Sequence, residues 1–180
     1  MLIGENRGIL VNKVENSERQ VNESVMTYMG EFAHSLDSQR RVAIPTCWRR
    51  KSGDNIFYIL PGRHGALQLI PEEGFRELLD KARKVSFADP AASLALARLG
   101  AMAQECKCDK QGRIGIPQRL LEYAGLSDGS VVMVGALTAV QIWSPEKWNN
   151  FRAADESVLD EIQKITERSD SLMDVLNQKL

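Results

Sequence analysis

The strongest constraint on this chain is that it says one thing twice. Asp37-Ser38-Gln39-Arg40-Arg41-Val42-Ala43-Ile44-Pro45 returns as Asp109-Lys110-Gln111-Gly112-Arg113-Ile114-Gly115-Ile116-Pro117. The shared skeleton is Asp-x-Gln-x-Arg-(Val/Ile)-x-Ile-Pro, offset by 109 − 37 = 72 residues. Five of its nine positions are identical, and a sixth exchanges Val for Ile. The echo continues with Ala66-Leu67-Gln68-Leu69-Ile70 and Ala139-Val140-Gln141-Ile142-Trp143 at an offset of 73, and with Pro71-Glu72 and Pro145-Glu146 at 74. The growing offset places small insertions between the motifs, where loops absorb them. A solenoid needs about three or more repeats, so two copies point to one closed, pseudo-symmetric domain.

Each copy reads the same way along its length. A strand is expected over 29–36 and again over 102–108. The polar Asp-x-Gln-x-Arg segment, with Gly112 in the second copy, reads as a loop or tight turn. Val42-x-Ile44 and Ile114-x-Ile116 alternate as strands do, and Pro45 and Pro117 end them. A short helix is expected next, over 46–52 before Gly53 and over 118–124 before Gly125, each glycine serving as a C-terminal cap. Strands over 56–60 and 66–70, then 131–134 and 139–143, form two hairpins turning at Arg63-His64-Gly65 and around Gly135. Helices open at Pro71 and at Ser144-Pro145. Between the copies lie two helices, 72–85 with Phe75, Leu78, Leu79 and Ala82 on one face, and a second capped by Asp89-Pro90 and ending at Gly100. In the tail, Val158, Ile162, Ile165, Ser169, Leu172 and Leu176 trace an apolar seam of alternating four- and three-residue steps. That seam suits packing on the chain's own domain or against another subunit.

Charge and cysteine content narrow the function. The 180 residues carry a formal net charge of −1. The distribution is uneven, however: Arg40, Arg41, Arg49, Arg50, Lys51 and Arg63 face only Asp37 and Asp54 between positions 37 and 63, a local balance of 6 − 2 = +4. Such a patch either binds phosphate or is a solvated face. The longest mainly apolar run, 131–140, is far short of the ~20 residues of a membrane helix. Glu5, Asn6 and Arg7 stand where a signal peptide would be apolar. Cys47, Cys106 and Cys108 read as free thiols in a reducing cytoplasm. Cys106-x-Cys108 lacks the further cysteines or histidine of a four-ligand site, so no metal is expected.

The repeated turn carries the chemistry. Arginine's planar fork suits phosphate and the O6/N7 edge of guanine, and glutamine and lysine bond bases or phosphates. An aspartate four residues earlier can fix the guanidinium or accept from turn N–H groups. Two readings stand side by side: a DNA-reading turn presented twice, or structural ion pairs Asp37–Arg41 and Asp109–Arg113 that hold the hairpins.

Met29-Gly30-Glu31, His34-Ser35-Leu36-Asp37 and Arg41-Val42-Ala43-Ile44-Pro45 resemble the opening of the MraZ family. So do 105–117, Leu121-Glu122-Tyr123-Ala124-Gly125-Leu126 and Ile142-Trp143-Ser144-Pro145-Glu146-Lys147-Trp148. The resemblance covers about residues 29–151. It implies an α+β fold: two swapped-hairpin β-barrel half-modules forming a pseudo-two-fold domain, with peripheral helices and a helical C-terminal tail. The expected division is an N-terminal extension over 1–28, flexible or not translated, repeat 1 over 29–76, linking helices over 77–101, repeat 2 over 102–150 and the tail over 151–180.

The resemblance further implies a ring homo-oligomer that binds double-stranded DNA at tandem direct repeats in its own promoter. That promoter lies upstream of the division and cell wall gene cluster. The expected role is a repressor and autoregulator, cytoplasmic and nucleoid-associated. The family's Asp-x-x-x-Arg falls on Asp37/Arg41 and Asp109/Arg113, with the arginines as expected DNA contacts. The candidate DNA-binding set is Asp37, Gln39, Arg40, Arg41, Asp109, Lys110, Gln111 and Arg113. No catalytic residue, cofactor, small-molecule substrate or membrane partner is expected. Arg40 departs from the glycine usual before the first motif's arginine. Without glycine's freedom at positive φ, the first turn is expected to be shaped differently from the second.

Two rival functions bear on the same chain. His34 beside Asp37, or His64 in its turn, would serve acid–base chemistry, but neither comes with a nucleophile, phosphate loop or metal cluster. A protein-binding module of antitoxin-like barrel type, with the tail gripping a partner, is the other.

Overall fold

A computed structural model describes residues 26–153, apart from Phe87 and Ser127. The expected apolar seam of the tail and residues 1–25 lie outside the described residues. The fold is α+β, with a mostly antiparallel set of strands. In chain order the elements are β1 (Glu31–Ser35), β2 (Arg41–Ala43), β3 (Ile56–Pro61), β4 (Leu67–Pro71), α1 (Glu72–Ala82), α2 (Pro90–Met102), β5 (Gln104–Lys107), β6 (Arg113–Gly115), α3 (Gln118–Ala124), β7 (Ser130–Gly135), β8 (Val140–Trp143) and α4 (Pro145–Ala153).

The pairing interleaves the two copies. One sheet runs β1-β7-β8-β4-β3-β5, and a separate two-stranded ribbon pairs β2 with β6. The first strand of each copy thus joins the hairpin of the other: β1 lies on β7, and β5 lies on β3. In the ribbon Val42 pairs with Ile114, its own repeat counterpart at 114 − 42 = 72. In the sheet Gln68 pairs with Gln141, again its counterpart at 141 − 68 = 73. A residue pairs with its own copy only on a local two-fold axis, so these two pairs mark where that axis passes.

The alternation in the ribbon explains its depth. Val42 and Ile114 are 0 % exposed, and Ile44 and Ile116 continue the same face into the core with Ile59, Leu67, Leu69, Met133 and Ile142. Arg41, Ala43 and Arg113 occupy the other face and are half-buried. Tyr28, at the edge of the first copy, is buried and exchanges backbone bonds with Leu137. Gly135 permits that close passage, because a Cβ there would stand 2.5 Å from the Tyr28 carbonyl carbon.

The second copy's helix forms as expected. α3 buries Leu120, Leu121 and Ala124 and ends on Gly125 at φ 70°. The Lys147 ammonium donates to the Ala124 carbonyl at 2.8 Å, which answers one of the open carbonyls at that end. The first copy's helix over 46–52 does not form. It shrinks to a 3-10 turn, Thr46–Trp48, after which Arg49 is extended. The reason is Trp48: its indole N–H donates to the Met29 carbonyl at 3.0 Å and its ring meets Phe32 edge-on at 4.9 Å. Asn55 then takes the Arg50 N–H at 2.6 Å, which ends the turn.

α1 stops at Ala82 instead of Val85, its end tightened by the Lys84 and Val85 N–H bonds to the Lys81 and Ala82 carbonyls. Phe75 stacks on Tyr58 at 3.8 Å, whereas Leu79 is exposed. α2 is capped as expected, with Asp89 Oδ1 accepting from the N–H groups of Ala91 and Ala92, but it runs past Gly100 to Met102. Leu94, at 53 %, and Leu96, at 36 %, are both exposed on it.

Candidate nucleic-acid interface

The two motif turns are built alike from their aspartates. Asp37 Oδ1 accepts from the N–H groups of Gln39 and Arg41, both at 2.9 Å. Asp109 Oδ1 accepts from those of Gln111 and Arg113, also at 2.9 Å. The Arg40 N–H closes on the Asp37 carbonyl at 2.8 Å, and the Gly112 N–H on the Asp109 carbonyl at 2.8 Å. An aspartate bonding the backbone two residues on is the reason the motif begins with this side chain.

The difference expected between the turns is absent. Arg40 sits at φ 59° and Gly112 at φ 76°, both left-handed. The turn's hydrogen bonds hold Arg40 in a region that costs a side chain about 1–2 kcal/mol, so the first turn keeps the shape of the second at a conformational cost.

The second oxygens of the aspartates tie the turns to each other. Arg41 Nε lies 2.9 Å from Asp37 Oδ2, and its Nη1 lies 3.4 Å from Asp109 Oδ2. Arg113 mirrors this, with Nε 2.9 Å from Asp109 Oδ2 and Nη1 3.3 Å from Asp37 Oδ2. The four side chains are 26 % to 31 % exposed. The N–H of Arg113 and its guanidinium, against the opposing effect of burial, bring the Asp109 carboxyl down to about 2. Asp37 is lowered in the same direction, foremost by the Arg41 N–H. Both aspartates are thus charged at neutral pH, and both arginines are oriented in advance.

Of the eight sequence candidates, Asp37, Arg41, Asp109 and Arg113 therefore form one network. Gln39, Arg40, Lys110 and Gln111 are exposed on the turns. Arg40 Nη1 donates to Gln118 Oε1 at 3.2 Å. Sequence reasoning counts Arg49 in the basic patch but does not place it. Its guanidinium lies directly over Gly112, where a Cβ would come 2.9 Å from Arg49 Cδ and collide with the atoms beyond it. The histidines stand apart: His34 is opposite Val131 in the β1–β7 pairing, and the His64 ring is 5.6 Å from that of Phe151. Among the described residues no cluster of three or more metal-ligating side chains occurs, and no helix is long and apolar enough to cross a membrane.

Two interleaved copies about one axis, with acid–arginine turns joined across it, define a tandem-repeat α+β protein of antiparallel strands. The sequence profile of the family described as "MraZ protein, putative antitoxin-like" matches it twice, over residues 27–98 and 99–169. The chain belongs to the MraZ family. It is 38% identical over 135 residues to a protein of Natranaerobius thermophilus named transcriptional regulator MraZ, covering 75% of this chain and 93% of that one. A protein of the same name from Carboxydothermus hydrogenoformans is 36% identical, with the same two coverages of 75% and 93%. The one from Clostridium acetobutylicum is 31% identical over 140 residues, covering 78% and 97%.

Proposed function

We propose that this chain is a DNA-binding transcriptional regulator without catalytic activity. It acts as a repressor and autoregulator of the division and cell wall gene cluster, on tandem direct repeats in its own promoter. The observation that carries this is the pair of matching turns, each with a pre-oriented arginine and exposed Gln, Lys or Arg side chains. The names of the relatives support the regulatory role. In this reading the two copies, 29–76 and 102–150, close as swapped-hairpin half-barrels. The tips of their turns offer Gln39, Arg40, Lys110 and Gln111 to DNA. Arg41 and Arg113 use Nε and Nη donors on the aspartates, yet a guanidinium carries five N–H donors, so donors remain for a phosphate or a guanine edge.

One protomer presents few contacts, and a ring repeats them in one direction along tandem sites. The testing experiment is an anisotropy titration of the protein against the DNA upstream of its own gene, with a salt series and with Arg41→Ala and Arg113→Ala. Specific, salt-sensitive binding that disappears in folded variants is expected. A folded oligomer that ignores this DNA sinks the reading and favours a protein-partner module.

A further inference from the structure

Arg40 and Arg49 have no relation in the repeat. Arg40 answers to Gly112, and Arg49 answers to Leu121, each at the offset of 72. The fold nevertheless brings them to equivalent places. The ribbon continues beyond its strands, with the Ile44 N–H on the Gly112 carbonyl and the Ile116 N–H on the Arg40 carbonyl, both at 2.9 Å. That extension sets Thr46 beside the second turn and Gln118 beside the first. Thr46 and Gln118 are themselves repeat counterparts, at 118 − 46 = 72.

Each then holds one guanidinium at its turn. Gln118 Oε1 accepts from Arg40 at 3.2 Å, and Thr46 Oγ1 accepts from Arg49 Nη2 at 2.8 Å. The first turn supplies its arginine from its own left-handed position. The second has glycine there, and the bare Cα surface is covered by the Arg49 guanidinium. Both arginines are held by neutral oxygens. Among the described residues neither forms a salt bridge, in contrast to Arg41 and Arg113.

We infer that Arg49 is a DNA-phosphate contact of the second turn, the spatial counterpart of Arg40. This rests on the DNA-binding reading above. A charge held in place without a carboxylate partner keeps its full attraction for a phosphate. The pairing gives each turn a guanidinium at the same place, although only the first carries an arginine at that position of its sequence.

The test is anisotropy with two labelled duplexes of equal length, the DNA upstream of this protein's gene and a scrambled sequence, across a salt series. Arg49→Gln is expected to bind both more weakly by a common factor, on the order of tenfold. Its slope of log affinity against log salt flattens by about 0.9 for each phosphate left unneutralised. Arg49→Lys keeps the charge and is expected to keep the slope. Arg40→Gly should flatten the slope as Arg49→Gln does. Wild-type affinity and slope in folded Arg49→Gln overturn the inference and leave Arg49 a strut of its turn. Weaker binding to one duplex alone overturns the phosphate assignment. Should Arg49→Gln melt early, a folded Arg49→Lys with a flattened slope overturns it equally. If wild type binds neither duplex, the DNA reading fails and the inference falls with it. If wild type binds and Arg49→Gln matches it, the inference alone falls.

Discussion

Arg41 and Asp109 stand 68 positions apart in sequence, yet Arg41 Nη1 lies 3.4 Å from Asp109 Oδ2. The same guanidinium bonds Asp37, the aspartate of its own turn, through Nε. The acid and arginine of each motif are therefore shared between the two copies. The structural ion-pair reading and the DNA-reading one thus describe the same side chains, since a guanidinium anchored at Nε is also a guanidinium aimed in advance.

The network makes the fold sensitive to acid. A carboxyl whose folded value lies below its ordinary one, about 3.9, contributes stability that is complete above that value. The contribution is lost as pH falls through the folded value, about 2 for Asp109. The urea midpoint of the wild type should thus fall between about pH 4 and pH 2. The double variant Asp37→Asn/Asp109→Asn should start lower at pH 7 and show a flatter profile over that window. Equal slopes in the two proteins would mean that the aspartates are not the groups titrating.

Arg40 and Gly112 should respond oppositely to substitution. Arg40→Gly removes a side chain from φ 59° and should leave stability unchanged or raise it by about 1 kcal/mol. Gly112→Ala places a Cβ at φ 76° and against Arg49, and should cost about 1–3 kcal/mol. Thermal melts of the two variants beside wild type decide this, and the same sign for both would refute it.

The centre of the ribbon should be unforgiving. Ile114 is 0 % exposed and lies on the local axis opposite Val42. Ile114→Val should cost about 0.5–1.5 kcal/mol and Ile114→Ala about 2–5, as buried methyl groups do. Urea denaturation measures both. A cost for Ile114→Ala below that of Ile114→Val would show that the site is not packed as described.

The three thiols should separate by reactivity. Burial pushes the Cys106 and Cys108 thiols up to about 11, so at pH 8 the reactive thiolate is scarce in both. Cys47 is exposed. Titration of the native protein with a disulfide reagent should therefore show one fast thiol, and Cys47→Ser should remove it. Rapid release from that variant would contradict the raised thiol values of Cys106 and Cys108.

Much of the fold is legible in the residues. Offsets of 72, 73 and 74 locate both copies, and alternation marks Val42, Ile44, Ile114 and Ile116 as inward. The cap signals Gly125 and Asp89-Pro90 stand where α3 ends and α2 begins. These succeed because turn, cap and strand periodicity are local, set by residues a few positions apart. The 46–52 helix fails because its propensity is overridden by Trp48, whose anchor, Met29, is 19 positions earlier. Arg40 at positive φ fails likewise: its own preference opposes the turn, and the bonds around Asp37 prevail.

What the amino-acid order determined by itself is the duplicated unit, its strands and turns, and the aspartate that shapes each turn. Only the tertiary structure decided that each first strand joins the other copy's hairpin, that Arg41 and Arg113 each also reach the other copy's aspartate, and that Arg49 comes to rest over Gly112. Those contacts join positions that are distant along the chain, and local preference carries no information about which distant partner closes them. The choice is made when the core faces of both copies are buried together about one axis.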